Sequence, residues 1–159
     1  MDIEICINSD TTGSLSENVK AARQGGAARI ELCSAMHLDG LTPTSEQIKV
    51  ARAAFKVVPG LMVMIRPRGG DFCFDESEVD LMLRQIENAA AHGADAVVVG
   101  VLNKDGSIDV PALRRLMNAA NRNSLSVTFH RAFDAAANAD EAVDILTAEG
   151  VDRILTSGV

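Results

Sequence analysis

Short apolar runs alternate with longer stretches of helical period along the chain, and this alternation constrains the fold more than any other feature. The runs rich in Val, Ile and Met fall at residues 3–7, 28–33, 61–66, 96–102, 125–130 and 153–157. Helical period fills 15–25, 44–56, 76–92, 109–122 and 138–149 between them. Thr44-Ser45-Glu46-Gln47 reads as a capping box, Pro111 suits a first turn, and Asp75 precedes Val79, Leu83 and Ile86 at helical spacing. Gly25-Gly26, Gly93 and Gly150 mark helix ends. Punctuation at Gly26, Gly60, Gly93, Ser124 and Gly150 recurs at intervals of 34, 33, 31 and 26 residues, the size of one βα unit. Strict alternation at that length requires parallel strands, which need a crossover between neighbours. Gly93-Ala94-Asp95-Ala96-Val97 and Gly150-Val151-Asp152-Arg153-Ile154 echo one another at the same place in the unit, where a helix stops and a strand starts.

Two parallel architectures compete, an open doubly wound sheet and a barrel. The central strands of a doubly wound sheet are covered on both faces and read as apolar throughout. Here one face is apolar and the other turns polar toward the strand ends. Ile3, Ile5 and Ile7 oppose Glu4 and Cys6; Ile30 and Leu32 oppose Arg29, Glu31 and Cys33; Val63 and Ile65 oppose Arg66; Val127 and Phe129 oppose Thr128 and His130. A barrel explains this pattern, with the apolar face under helices and the other lining an interior that opens at the carboxyl ends of the strands. No G-x-G-x-x-G or G-x-x-x-x-G-K run follows any strand, which weakens the nucleotide-binding alternative. The expected fold is therefore α/β, of the TIM (β/α)8 type. Eight units take about 250 residues, and the 159 residues here make five units and a sixth strand. Residues 1–159 read as one incomplete barrel domain that stops before strands seven and eight.

Composition excludes several classes. A net charge of −7 and the absence of Trp and Tyr argue against nucleic-acid binding, which calls for positive charge and stacking rings. No apolar run approaches the roughly 18 residues of a membrane span, and Asp2 and Glu4 at the start do not fit a secretory leader. Three widely spaced cysteines, Cys6, Cys33 and Cys73, suggest reduced thiols in the cytoplasm rather than a disulfide framework.

If the polar faces converge, the barrel mouth gathers Glu4, Cys6, Glu31, Cys33, Arg66, Arg68, Asp71, Thr128, His130, Arg131 and Asp134. Glu4, Glu31 and Arg66 have a structural reading too, in which they neutralise one another. Cysteine commonly packs as a small hydrophobe, and Cys73 between two Phe reads that way. Cys6 and Cys33, however, each follow a glutamate by two positions on what should be adjacent strands, so both thiols face the interior at similar height. Two thiolates suit Cu(I), which accepts few ligands, whereas zinc calls for four and no C-x-x-C or H-x-x-x-H spacing supplies them. Arg66 and Arg68 flank Pro67 before Gly69-Gly70-Asp71 and present forks suited to carboxylate or phosphate. His130 can serve as a general base, a metal ligand or a structural ring held by a carboxylate. His92 at a helix end reads as structural.

Five runs together resemble the CutC family of copper-homeostasis proteins: Glu31-Leu32-Cys33, Gly40-Leu41-Thr42-Pro43, Ile65-Arg66-Pro67-Arg68-Gly69-Gly70-Asp71-Phe72, Thr128-Phe129-His130-Arg131-Ala132-Phe133-Asp134 and Leu155-Thr156-Ser157-Gly158. The resemblance spans the chain in order and implies the N-terminal two-thirds of a TIM barrel. It implies a cytoplasmic protein of copper handling, with Cys6 and Cys33 as the Cu(I) ligands, and a homo-oligomer. Glu4, Glu31, Arg66, Arg68, Asp71 and His130 would then shape the pocket. The alternative is a TIM-barrel enzyme acting on a small anionic or phosphorylated metabolite, in which Arg66 and Arg68 bind the anion and His130 or Glu31 moves a proton.

Overall fold

The computed structural model describes residues 2–11 and 14–158. Strands and helices alternate as β1 (Glu4–Asn8), α1 (Leu15–Gln24), β2 (Arg29–Cys33), α2 (Ser45–Ala54), β3 (Leu61–Met64), α3 (Glu76–Ala91), β4 (Ala96–Val99), α4 (Val110–Arg122), β5 (Ser126–Phe129), α5 (Ala139–Ala148) and β6 (Arg153–Ile154). Local chemistry sets the helix starts. The Thr44 hydroxyl accepts from the Gln47 amide while the Gln47 side chain accepts from the Thr44 amide, and Asp75 and Glu78 repeat the exchange at α3. Pro111 lies in the first turn of α4. Several strands end earlier than their apolar runs. The Ile65 amide still donates to the Val98 carbonyl of β4, and beyond it the backbone of Arg66 pairs instead with Thr42, whose hydroxyl accepts from the Arg66 amide at 2.8 Å.

All neighbouring strands are parallel, and their order in the sheet is β1-β2-β3-β4-β5-β6. Each crossover therefore steps to the next strand in the same direction, which puts the helices on one face. A doubly wound sheet would reverse its order at a switch point. The core divides accordingly. Ile30, Leu32, Val63, Ile65, Val97, Val99, Val127 and Phe129 join helix residues such as Ile48, Ile86, Leu113 and Leu146 in an outer cluster. Cys33, Met62, Met64, Ala96 and Val98, of opposite parity, form an inner one. Each fully buried large aliphatic side chain contributes about 1.5–3 kcal/mol. On the inner side Arg153 of β6 donates to Thr128 Oγ1 at 3.1 Å and to Met62 Sδ of β3 at 3.5 Å, reaching three strands across a curled sheet. The sheet is an incomplete barrel.

The echo between residues 93–97 and 150–154 has a physical basis. Asp95 Oδ2 accepts from the Gly60 and Leu61 amides at the start of β3 and from Arg52 of α2. Asp152 Oδ2 accepts from the Val127 amide of β5. In both units an aspartate just before a strand ties it to the strand that precedes it. The preceding glycines, with φ of 91° at Gly93 and 81° at Gly150, turn the chain through a conformation that a side chain would strain.

The edge strand departs from expectation. Ile7 is buried, but Ile3 and Ile5 remain 46% and 38% exposed, because among the described residues β1 has a strand neighbour on one side only. Among the described residues no helix is long and apolar enough to cross a membrane.

Candidate metal and ligand site at the barrel mouth

Side chains from the carboxyl ends of the strands and the loops beyond them enclose a cavity of about 580 Å³. β1 supplies Cys6, β2 supplies Glu31 and Cys33, and β3 supplies Met64. Arg66 and Phe72 enter from the loop after β3, and His130, Arg131 and Asp134 from the segment after β5.

Register builds the thiol group. Cys6 lies opposite Glu31 and Cys33 opposite Asn8, so the two cysteines are diagonal neighbours on one face of adjacent parallel strands. Both Sγ atoms and a Glu31 carboxylate oxygen lie within 4.8 Å of one another. The Cys33 thiol donates to Glu31 Oε1 at 3.4 Å, while Glu31 Oε2 is buried without a hydrogen-bond partner. Cys6 is exposed and Cys33 is buried. The Cys33 thiol beside it holds the Cys6 thiol below its ordinary pKa, against burial and the Glu31 charge. Cys33 is pushed far above its ordinary value by the neighbouring Cys6 thiol, by burial and by Glu31. Burial also raises Glu31, with the Cys33 hydrogen bond opposing. Cys6 thus ionises first and Cys33 keeps its proton. Two soft donors and one hard one fit a metal of low coordination number and fall short of the four ligands that structural zinc takes.

The charged residues sort differently from expectation. Glu4, Glu31 and Arg66 do not neutralise one another. Glu4 accepts from Arg29 at 2.9 Å, its partner across the ladder, below the cavity. Arg66 donates to the carbonyls of Leu38 at 2.7 Å, Gly40 at 3.4 Å and Gly70 at 2.8 Å, and its Nε is buried without a partner. Burial lowers the Arg66 pKa. Arg68 pairs with Glu78 at 2.5 Å and Asp71 at 3.0 Å, fastening the loop to the start of α3, and neither Arg68 nor Asp71 lines the cavity.

His130 is held from behind. Its Nδ1 accepts from the Ala132 amide at 3.0 Å, and its Nε2 is buried without a partner. Burial, reinforced by the Arg66 charge, pushes its pKa down to about 3, so the ring is neutral at pH 7. Its structural support is this backbone amide rather than a carboxylate. Asp134 accepts from Thr156, Ser157 and Arg131, contacts that hold its carboxyl well below the usual range.

Asp39, Met64, Phe72 and Leu155 line the cavity without having been singled out as site residues. Met64 was detectable, because it shares the inward parity of Met62 on β3. The position of Phe72 depends on how the Gly69-Gly70 turn folds back, which strand parity does not address.

Comparisons with known proteins agree with this architecture. The sequence model described as the CutC family matches residues 1–159. A Bacteroides fragilis protein named as a family protein CutC is 47% identical over 155 residues, covering 98% of this chain and 58% of the relative. One of the same name from Aliivibrio fischeri is 43% identical over 159 residues, covering all of this chain and 61% of the relative. The chain thus spans about three-fifths of the length of the curated relatives it matches. A solved CutC from Streptococcus agalactiae, which carries a provisional description as a copper homeostasis protein, superposes with a TM-score of 0.85 at 32% identity. That match covers 99% of this chain and 73% of the other. The aldolase QR15 superposes with a TM-score of 0.65 at 14% identity, covering 99% and 68%, a likeness of fold alone.

Proposed function

The chain belongs to the CutC family, and from that premise we propose that it serves copper homeostasis, capturing Cu(I) between the thiolates of Cys6 and Cys33. The observation that carries this reading is the triangle of Cys6, Glu31 and Cys33, whose ligand atoms lie within 4.8 Å of one another. Thiolates select soft Cu(I), and two suffice for it. The order of ionisation suits stepwise capture. Exposed Cys6, the more readily deprotonated thiol, meets the ion first. Cys33 then releases its proton as the ion settles, since only the thiolate ligates well. Glu31 supplies the adjacent carboxylate, and Met64 and Phe72 give the site an apolar wall that restricts water. Such chemistry belongs in a reducing compartment, and the cytoplasm is where this reading places it.

An anaerobic Cu(I) titration against a competing chelator tests the reading on the folded protein, on Cys6→Ala and Cys33→Ala, and on denatured chain as the control for bare thiols. One tight site, weakened in each variant and tighter than denatured chain, is the expected result. Binding no stronger than that of the denatured chain overturns it.

A further inference from the structure

The thiol triangle leaves part of the cavity chemically unexplained. Arg66 is 3% exposed and His130 4%, yet each buries a polar nitrogen with no partner. Fixing the loops accounts for NH1 and NH2 of Arg66, which meet the carbonyls of Leu38, Gly40 and Gly70. It leaves over the Nε–H donor and a positive charge that no ion pair neutralises among the described residues, because a guanidinium stays protonated in proteins. Asp39, the acid whose charge Arg66 feels most, makes no ion pair with it among the described residues.

The tautomer of His130 follows from its contacts. Nδ1 accepts from the Ala132 amide, so the proton of the neutral ring sits on Nε2, and the unpartnered nitrogen is a donor. Phe72 is close to both residues. The Arg66 guanidinium carbon is 4.9 Å from its ring centroid, and the His130 ring centroid is 5.1 Å from it. Buried donors in native proteins are nearly always satisfied. Two unsatisfied ones near one aromatic ring, one of them carrying net charge, suit an acceptor with negative charge. A cavity of about 580 Å³ has the size of a small-molecule site. Three acids line its wall: Asp134 is occupied by Thr156, Ser157 and Arg131, Glu31 accepts from the Cys33 thiol, and neither Glu31 nor Asp39 bonds to Arg66 or His130 among the described residues.

We infer that the cavity binds a small organic oxyanion, a carboxylate or a phosphate monoester with a short carbon body, whose oxygens accept from Arg66 and His130 and whose carbon body packs against Phe72. This site does not depend on copper, and its test uses metal-free protein.

Metal-free wild-type protein is titrated calorimetrically with lactate, glycerol 3-phosphate and inorganic phosphate, while the His130 ring resonances are followed by NMR. The expected result is binding of lactate or glycerol 3-phosphate with a Kd below about 1 mM and a shift of the His130 ring on saturation; which of the two binds distinguishes carboxylate from phosphate. Arg66→Lys, which keeps the charge but loses the fork, is expected to weaken that binding by about tenfold or more. Should Arg66→Lys fail to fold, the wild-type His130 shift decides. No binding by either organic probe, or binding that leaves the His130 ring unmoved, overturns the inference. Inorganic phosphate binding as tightly as both organic probes overturns the assignment of an organic body.

Discussion

The Cys33 thiol donates to Glu31 Oε1 at 3.4 Å, a contact between residues two apart on one strand. Strand geometry puts both on the inner face, and register puts Cys6 of the neighbouring strand opposite Glu31. The resulting contacts bias the two thiols in opposite directions, since the Cys33 thiol nearby favours a Cys6 thiolate while Cys6, burial and Glu31 hold the proton on Cys33.

That bias is measurable as reactivity. With iodoacetamide under reducing conditions, Cys6 is expected to be alkylated well before Cys33, with a pH midpoint below that of an ordinary thiol. Replacing Cys33 by Ala removes the neighbouring thiol that favours the Cys6 thiolate and is expected to raise the midpoint. Peptide mass spectrometry over a pH series reads both effects. Faster labelling of Cys33 than of Cys6 would contradict the arrangement.

His130 makes stability depend on acidity. Its pKa is 6.5 for an ordinary ring and about 3 when folded, so the unfolded chain takes up the proton first. Stability from this group is complete above pH 6.5 and falls as pH drops toward 3, by up to about 1.4 kcal/mol per pH unit. His130→Gln is expected to flatten that part of the pH profile. Urea unfolding at several pH values checks it, and an unchanged slope would refute the claim.

Asp95 joins β3, β4 and α2 through one carboxylate oxygen. Asp95→Ala leaves two backbone amides and Arg52 without that acceptor and is expected to destabilise the fold by about 2–4 kcal/mol. Asp95→Asn retains an acceptor oxygen and is expected to lose less. Chemical denaturation of both variants measures the difference, and equal losses would argue against the amide contacts as the cause.

Gly100 has no side chain because His130 occupies the space. A Cβ there would collide with the imidazole ring and sit 2.8 Å from the Ala132 Cβ. Gly100→Ala is expected to cost about 1–3 kcal/mol by overpacking and to move the His130 ring resonances. A variant with wild-type stability and unmoved resonances would contradict this packing.

Much of the architecture was legible in the sequence, and the reasons are local. Thr44 and Asp75 announce helix starts through hydrogen bonds made within four residues, and Gly93 and Gly150 announce ends through a backbone conformation that other residues resist. Parity on adjacent parallel strands was also enough to put Cys6, Glu31 and Cys33 on one face. The charges were less legible, because partner choice depends on register and loop shape. Glu4 meets Arg29 because the ladder sets them opposite each other, while Arg66 meets three carbonyls because two loops fold around it. Arg68 and Asp71 looked like mouth residues from their place after a strand, yet the turn at Gly69-Gly70 brings them together with Glu78.

X-ray absorption at the copper edge tests the central claim most directly. On protein loaded anaerobically with one equivalent of Cu(I), the wild type is expected to show two thiolate sulfurs around the ion, and Cys6→Ala and Cys33→Ala each one fewer. A shell made of nitrogen and oxygen alone, or a sulfur count unchanged in both variants, would contradict it.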